Sequence, residues 1–141
     1  MSFRTPDRVL ETSTTAGAGA FALAGAVTGF TTFAATLIVG DLTYYAIEGA
    51  DAVTGVPTGE WETGIGTYSA ANTLTRTAVV ASSNGGAAVN FSAGTKRVMI
   101  SPLGSRYFGV KVDVFNAPGG TFTLDKDAVA VEVILIAAGG G

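Results

Sequence analysis

The chain has 141 residues, enough for one compact unit, yet only 13% of them are charged where about 25% is ordinary for a soluble domain. Eight Lys and Arg stand against eleven Asp and Glu, a net charge of −3 with no basic stripe, which excludes an electrostatic footprint for nucleic acid. The sequence holds neither His nor Cys, so disulfide and thiolate chemistry are excluded and the commonest metal ligand and general base are missing.

From the N-terminus, residues 12–40 run 29 positions without a charge, long enough to raise a transmembrane segment. Gly17, Gly19, Gly25, Gly29 and Gly40 interrupt this run, which also carries seven Thr and Ser13. That composition suits strands and turns better than a helix facing lipid, so no membrane partner is expected. Arg4 and Arg8 ahead of "AGAGAFALAGA" resemble a secretory leader only superficially, because Asp7 and Glu11 spoil its basic start. One short helical turn over Thr31 to Thr36 is the most helix this region predicts.

"DLTYYAIEG" then reads as a strand ending at Gly49. "EWETGIGTY" alternates, with Trp61, Thr63, Ile65 and Thr67 on one face and Glu60, Glu62, Gly64, Gly66 and Tyr68 on the other. Hydropathy predicts a buried Trp61 beside an exposed acidic edge. Gly64 and Gly66 lack the third Gly and the Lys of a phosphate loop, and read as strand glycines that permit close packing or a bulge. "TLTRTAVVAS" is β-branched and strand-like. Asn84-Gly85 predicts a tight hairpin turn, and Gly94-Thr95 a second reversal.

Further on, "YFGVKVDVF" places Phe108, Val110, Val112 and Val114 on one face of a strand. Ala128 to Ala138 is apolar apart from Glu132, which predicts a strand covered on both faces, within the chain or by a neighbouring subunit. Strands of five to eight residues between Gly-rich turns predict an all-β fold, an antiparallel sandwich or barrel-like domain. A joint near Ser101 to Ser105 separates a β module over residues 1–100 from a C-terminal β-strand extension over residues 101–141, or from the last sheet of the same domain.

Candidate chemistry is sparse. Glu60 and Glu62 are neighbours on one strand, whereas a glycosidase sets its two carboxyls on opposite sides of a bond and at least ~5 Å apart. Asp125 and Asp127 lack the loop pattern of a calcium site. Asp41, Glu48 and Asp51 read as loop surface. Ser and Thr nucleophiles would need Lys or an N-terminal amine for activation, and no Ser-x-x-Lys occurs. Neither a catalytic set nor a cofactor is therefore expected. Tyr44, Tyr45, Trp61, Tyr68 and Tyr107 have faces suited to sugar, though aromatics on strands more often fill cores and interfaces.

One resemblance is specific. Trp61-Glu62-x-Gly64-x-Gly66-Thr67-Tyr68, Leu74-x-Arg76-Thr77-x-Val79, Ser82-Ser83-Asn84-x-Gly86 and Val89-Asn90-Phe91-Ser92-x-Gly94-Thr95-Lys96 occur in that order. Together with "DRVLETSTTAGAGAFALAGAVTGFTTF" and "GDLTYYAIEG", they resemble a module of tailed-bacteriophage virion surface proteins over roughly residues 6 to 98. The resemblance implies an assembly role, usually as a homo-oligomer and often a trimer, and no catalytic residues. Residues 101–141 do not match the module. The expectation is a capsid decoration (cement) protein on the outer surface of a phage head, made in the bacterial cytoplasm and bound to the major capsid protein. A head or tail fibre-base or receptor-binding protein, with a host surface glycan as ligand, is the alternative. A carbohydrate-active enzyme using Glu60 and Glu62 is the third. On the first reading Arg4 and Arg8 touch the capsid, while Tyr45, Trp61, Phe91, Val129, Val131, Val133 and Leu135 lie in the core or in subunit contacts.

Overall fold

The computed structural model describes residues 1–106. The strand predicted over Tyr107 to Phe115 and the apolar run holding Val129, Val131, Val133 and Leu135 lie outside the described residues. Six strands follow in order: β1 (Leu10–Ser13), β2 (Phe21–Ala22), β3 (Leu42–Ala50), β4 (Pro57–Ala70), β5 (Thr73–Ser82) and β6 (Lys96–Met99). A four-residue helix, α1 (Phe33–Thr36), stands between β2 and β3, and a 3-10 turn covers Gly104–Arg106. Thr32 caps α1 by accepting from the Ala35 amide at 3.1 Å.

All strands pair antiparallel in one sheet of order β1-β6-β3-β4-β5-β2. The two ends of that order nearly meet. Leu23 donates to the Asn72 carbonyl at the β5 end, and the next residues cross to β1. There Ala24 N donates to Thr12 O at 2.8 Å, Thr12 N to Gly25 O at 3.1 Å and Val27 N to Leu10 O at 3.0 Å. The fold is thus all-β and barrel-like, with a nearly closed sheet. β3, β4 and β5 are longer than the five to eight residues expected, at 9, 14 and 10. Length suits a curved sheet, because a long strand serves the barrel along its whole tilted height.

Two devices bend the long hairpin β4–β5. The register skips one residue of β5 between Thr63 and Gly64, and another between Ile65 and Gly66. These irregularities add twist where the sheet must curl. They fall at Gly64 and Gly66, whose missing side chains let the ring of Tyr45 lie directly against β4. Both readings of that glycine pair, close packing and bulge, hold.

The interior holds Val9, Phe21, Leu23, Phe33, Leu37, Tyr45, Ile47, Tyr68, Leu74, Val89, Phe91 and Val98. Phe21 and Phe91 meet edge to face with centroids 5.4 Å apart. Long loops are fixed by buried carboxylates. Glu11, 1% exposed, accepts from Gly25 N at 3.1 Å and Phe33 N at 2.8 Å. Glu11→Ala is expected to cost about 3 kcal/mol, the loss of two charge-assisted bonds and the orphaning of two donors. Urea unfolding checks this, with Glu11→Gln, which keeps an acceptor, expected to lose less.

Asp41 was expected at the loop surface. It is fully buried instead, because three donors converge on it. It accepts from Ser2 N at 3.0 Å and Ile38 N at 3.2 Å, and pairs with Arg4 Nε at 2.9 Å. Ser2 to Arg4 then run parallel to the start of β3, with Leu42 N donating to Ser2 O and Arg4 N to Leu42 O.

The hairpin predicted at Asn84-Gly85 is not formed. The chain does turn there, but β5 is followed by a loop, and β6 pairs with β1 and β3. Ser82 organises the turn: its Oγ accepts from Asn84 N and Gly86 N and donates to Ala87 O at 2.6 Å. Gly85 and Gly86 take positive φ of 62° and 87°, which suits a side-chain-capped loop as well as a hairpin.

Candidate functional site

The face assignment of β4 is the reverse of that expected from hydropathy. Glu62 is fully buried and Trp61 is 42% exposed. The reason is Tyr45. Its ring needs the space over Gly64 and Gly66, so the Glu62, Gly64, Gly66 and Tyr68 face turns inward. Trp61 therefore lies outside this chain's own core, contrary to the buried Trp expected. Tyr45 and Phe91 are both buried.

Glu62 then needs partners, and β3, β5 and the loop after β5 bring them. Tyr45 Oη from β3 donates to Oε1 at 2.6 Å. Val89 N, from the loop after β5, donates to Oε2 at 2.7 Å. Arg76 Nη1 from β5 pairs with Oε2 at 2.8 Å and also donates to Val89 O at 3.0 Å. Arg76 Nε reaches Gly19 O at 3.1 Å. The guanidinium carbon lies 5.4 Å from the Phe21 ring centre and 5.9 Å from that of Phe91, a cation between two π faces. Nη2 has no hydrogen-bond partner there. Burial, followed by the hydrogen bond and charge of Glu62, pushes the Tyr45 phenol far above its ordinary value, so it remains a donor.

Glu60 faces a separate cleft of about 470 Å³, lined also by Gly49, Thr58, Ser92, Gly94 and Lys96. Its carboxylate accepts from Ser92 N at 2.9 Å and Ser92 Oγ at 2.8 Å. These two bonds, the amide first, hold its carboxyl below the usual carboxylate range. Lys96, 1% exposed, donates from Nζ to Ser92 O at 2.6 Å and Gly94 O at 2.8 Å. Burial lowers its ammonium, opposed by the charge of Glu60. The cluster ties the loop before β6 down onto β4. Ser92 Oγ donates to Glu60, whose lowered carboxyl makes it a weak base toward that hydroxyl, and Lys96 bonds the Ser92 carbonyl and not its hydroxyl. Glu60 and Glu62 share one face of β4 but are engaged by different partners, Ser92 for one and the Arg76–Tyr45 pair for the other.

On the outer side, Arg4 is half exposed and bound to Asp41. Arg8 has a positive φ of 57°, donates from Nη2 to Gly29 O at 2.6 Å and lies over the Phe30 ring at 5.0 Å. The structure does not bring Arg4 and Arg8 into one cluster: each closes its own loop contact. The outer faces of β3, β4 and β5 carry rows set by register, Tyr44–Ile65–Ala78, Ala46–Thr63–Ala81 and Leu42–Thr67–Thr75. No charged side chain stands in these rows. Their hydroxyls bond one another, Thr67 to Thr77 at 2.6 Å and Ser69 to Thr75 at 2.8 Å. Phe3 stacks on Tyr44 with centroids 4.7 Å apart.

Sequence reasoning missed the Glu62–Arg76 pair and the inward Lys96. The only available signal was isolation: Arg76 is the sole charge between Glu62 and Lys96. Among the described residues no group of three His, Cys, Asp or Glu is placed to hold a metal ion, and no helix is long and apolar enough to cross a membrane. No protein-family model, curated protein or solved structure matches this chain.

Proposed function

We propose that the protein is a structural virion component, a capsid decoration protein that binds the outer shell of a tailed-phage head as an oligomer. One observation carries most weight. The chain is poor in charge, and among the described residues five charged side chains are turned inward: Glu11, Asp41, Glu62 and Lys96 are buried, and so is the Arg76 side chain. Among the described residues the outer rows of β3, β4 and β5 are uncharged and hydroxyl-rich, a surface that loses little on being covered by protein. Resemblance to virion surface modules supports the same reading and adds the major capsid protein as partner.

Binding on this view is additive. Each copy buries area across neighbouring capsomers and stabilises the bound shell by mass action. It needs no reaction, and the two glutamates of β4 are better employed as internal ties than as a catalytic pair. Quantitative gels of purified virions test it: many copies per particle are expected, and particles lacking the protein are expected to lose DNA at a lower temperature. A few copies per particle, with intact shells and lost adsorption, would instead favour the fibre-base or receptor-binding reading.

A further inference from the structure

We infer that Asn84-Gly85 is a site of covalent self-modification, where the loop after β5 converts its own asparagine amide into a carboxylate. The inference is independent of the capsid reading.

The reaction needs an asparagine followed by a residue without a side chain, an amide nitrogen free to attack, and access for water. Asn84 is the one asparagine of the chain followed by Gly, whereas Asn72 precedes Thr73 and Asn90 precedes Phe91. Residues 83–88 are all exposed. The turn engages the amides around the attacking one and leaves that one alone. Asn84 N and Gly86 N donate to Ser82 Oγ at 3.1 and 3.2 Å, and Ala87 N donates to Asn84 O at 3.1 Å. Among the described residues the Gly85 amide donates to nothing, and Gly85 stands in open space.

In the first step Gly85 N gives its proton to solvent base and bonds to Asn84 Cγ. The Cγ–Nδ2 bond breaks, ammonia leaves and a cyclic imide closes. Water then opens the imide. Attack at Cγ gives aspartate in the ordinary chain, and attack at the Asn84 backbone carbonyl gives isoaspartate, with the chain routed through Cγ.

Either product disturbs the loop. Asn84 Nδ2 donates to Ala88 O at 3.0 Å, and a carboxylate there has no proton to give. Isoaspartate also lengthens the backbone inside the turn that Ser82 holds. Next along the chain, Val89 N donates to Glu62 at 2.7 Å and Val89 O accepts from Arg76 at 3.0 Å. The modification therefore loosens the loop that closes the buried ion pair. It also places a negative charge within residues 77–95, which carry none.

The test compares the folded chain, folded Gly85→Ala and a synthetic peptide of residues 79–90, all held in mildly alkaline buffer. The tryptic peptide Thr77–Lys96 holds both Asn84 and Asn90, so mass spectrometry places the exchange of NH2 for OH, and enzymatic methylation counts isoaspartate. Conversion is expected at Asn84 and not Asn90, faster as pH rises because the attacking nitrogen must lose its proton. Its rate in the folded chain should lie within about tenfold of the peptide's, as for a loop with few contacts. Gly85→Ala should be slower by about tenfold or more, since a Cβ crowds the attack. No conversion in the folded chain under conditions that convert the peptide, equal rates in Gly85→Ala, or conversion at Asn90 instead would overturn the inference. The isoaspartate form, separated by charge, is expected to unfold at a lower urea concentration than the parent; an unchanged midpoint would overturn the link to the Glu62–Arg76 pair.

Discussion

Replacing Arg76 with Met is expected to lower the free energy of unfolding by about 3–5 kcal/mol, because it leaves the Glu62 carboxylate buried without its cation. The pair sits at 2.8 Å with side-chain exposures of 4% and 0%, so water cannot take over. Glu62→Ala should be at least as damaging. It strands the guanidinium and removes the acceptor of Tyr45 Oη and Val89 N together. Against a total of about 5–15 kcal/mol for a small domain, either change leaves the fold marginal. The double variant Glu62→Ala/Arg76→Met should recover part of the loss, since neither charge is then left alone. Guanidinium unfolding of the four proteins gives the coupling energy. A value under about 1 kcal/mol, of the size seen for exposed pairs, would mean that the network is not a unit.

Gly64→Ala is the second large effect. A Cβ there runs into the backbone carbonyl of Ala78 and meets the Tyr45 phenol oxygen at 2.8 Å. The carbonyl belongs to the paired strand and cannot move without breaking β4–β5. The phenol is held by Glu62. A cost of about 3 kcal/mol or more is therefore expected, at the upper end of overpacking effects. Gly85→Ala makes a useful comparison. Open space surrounds that position, so only its positive φ of 62° is penalised, at about 1 kcal/mol. Thermal unfolding should rank the two in that order; equal losses would mean that Tyr45 and β5 adapt to the methyl group.

The contrast explains what could be seen in the sequence. β3, β4 and β5 were legible because their alternation and β-branched content are local properties, written in consecutive residues. Which face of β4 points inward was not. Trp61 and Ile65 outweigh Glu62, Gly64 and Gly66 on any hydropathy count, yet the ring of Tyr45 needs the two glycines and Arg76 needs the glutamate. That balance is set by a residue 17 positions away and another 14 away. The same holds for Asn84-Gly85, whose dipeptide signals a turn but does not specify which strand follows it. β6 pairs with β1 and β3, a long-range choice that no turn residue encodes. Asp41 looked like loop surface because its three donors come from Ser2, Arg4 and Ile38, of which only the last is near in sequence.

The ring of backbone pairing has a consequence for crowding. An open sheet of six strands would leave two rows of unpaired amides and carbonyls, and many copies held close together could zip along them into fibrils. Among the described residues the β1 side is taken up by Ala24 to Val27, and the start of β3 by Ser2 to Arg4. Along those two stretches growth by strand addition is blocked, and contacts between neighbours there must run through side chains, whose fit limits how many molecules can join and at what angle.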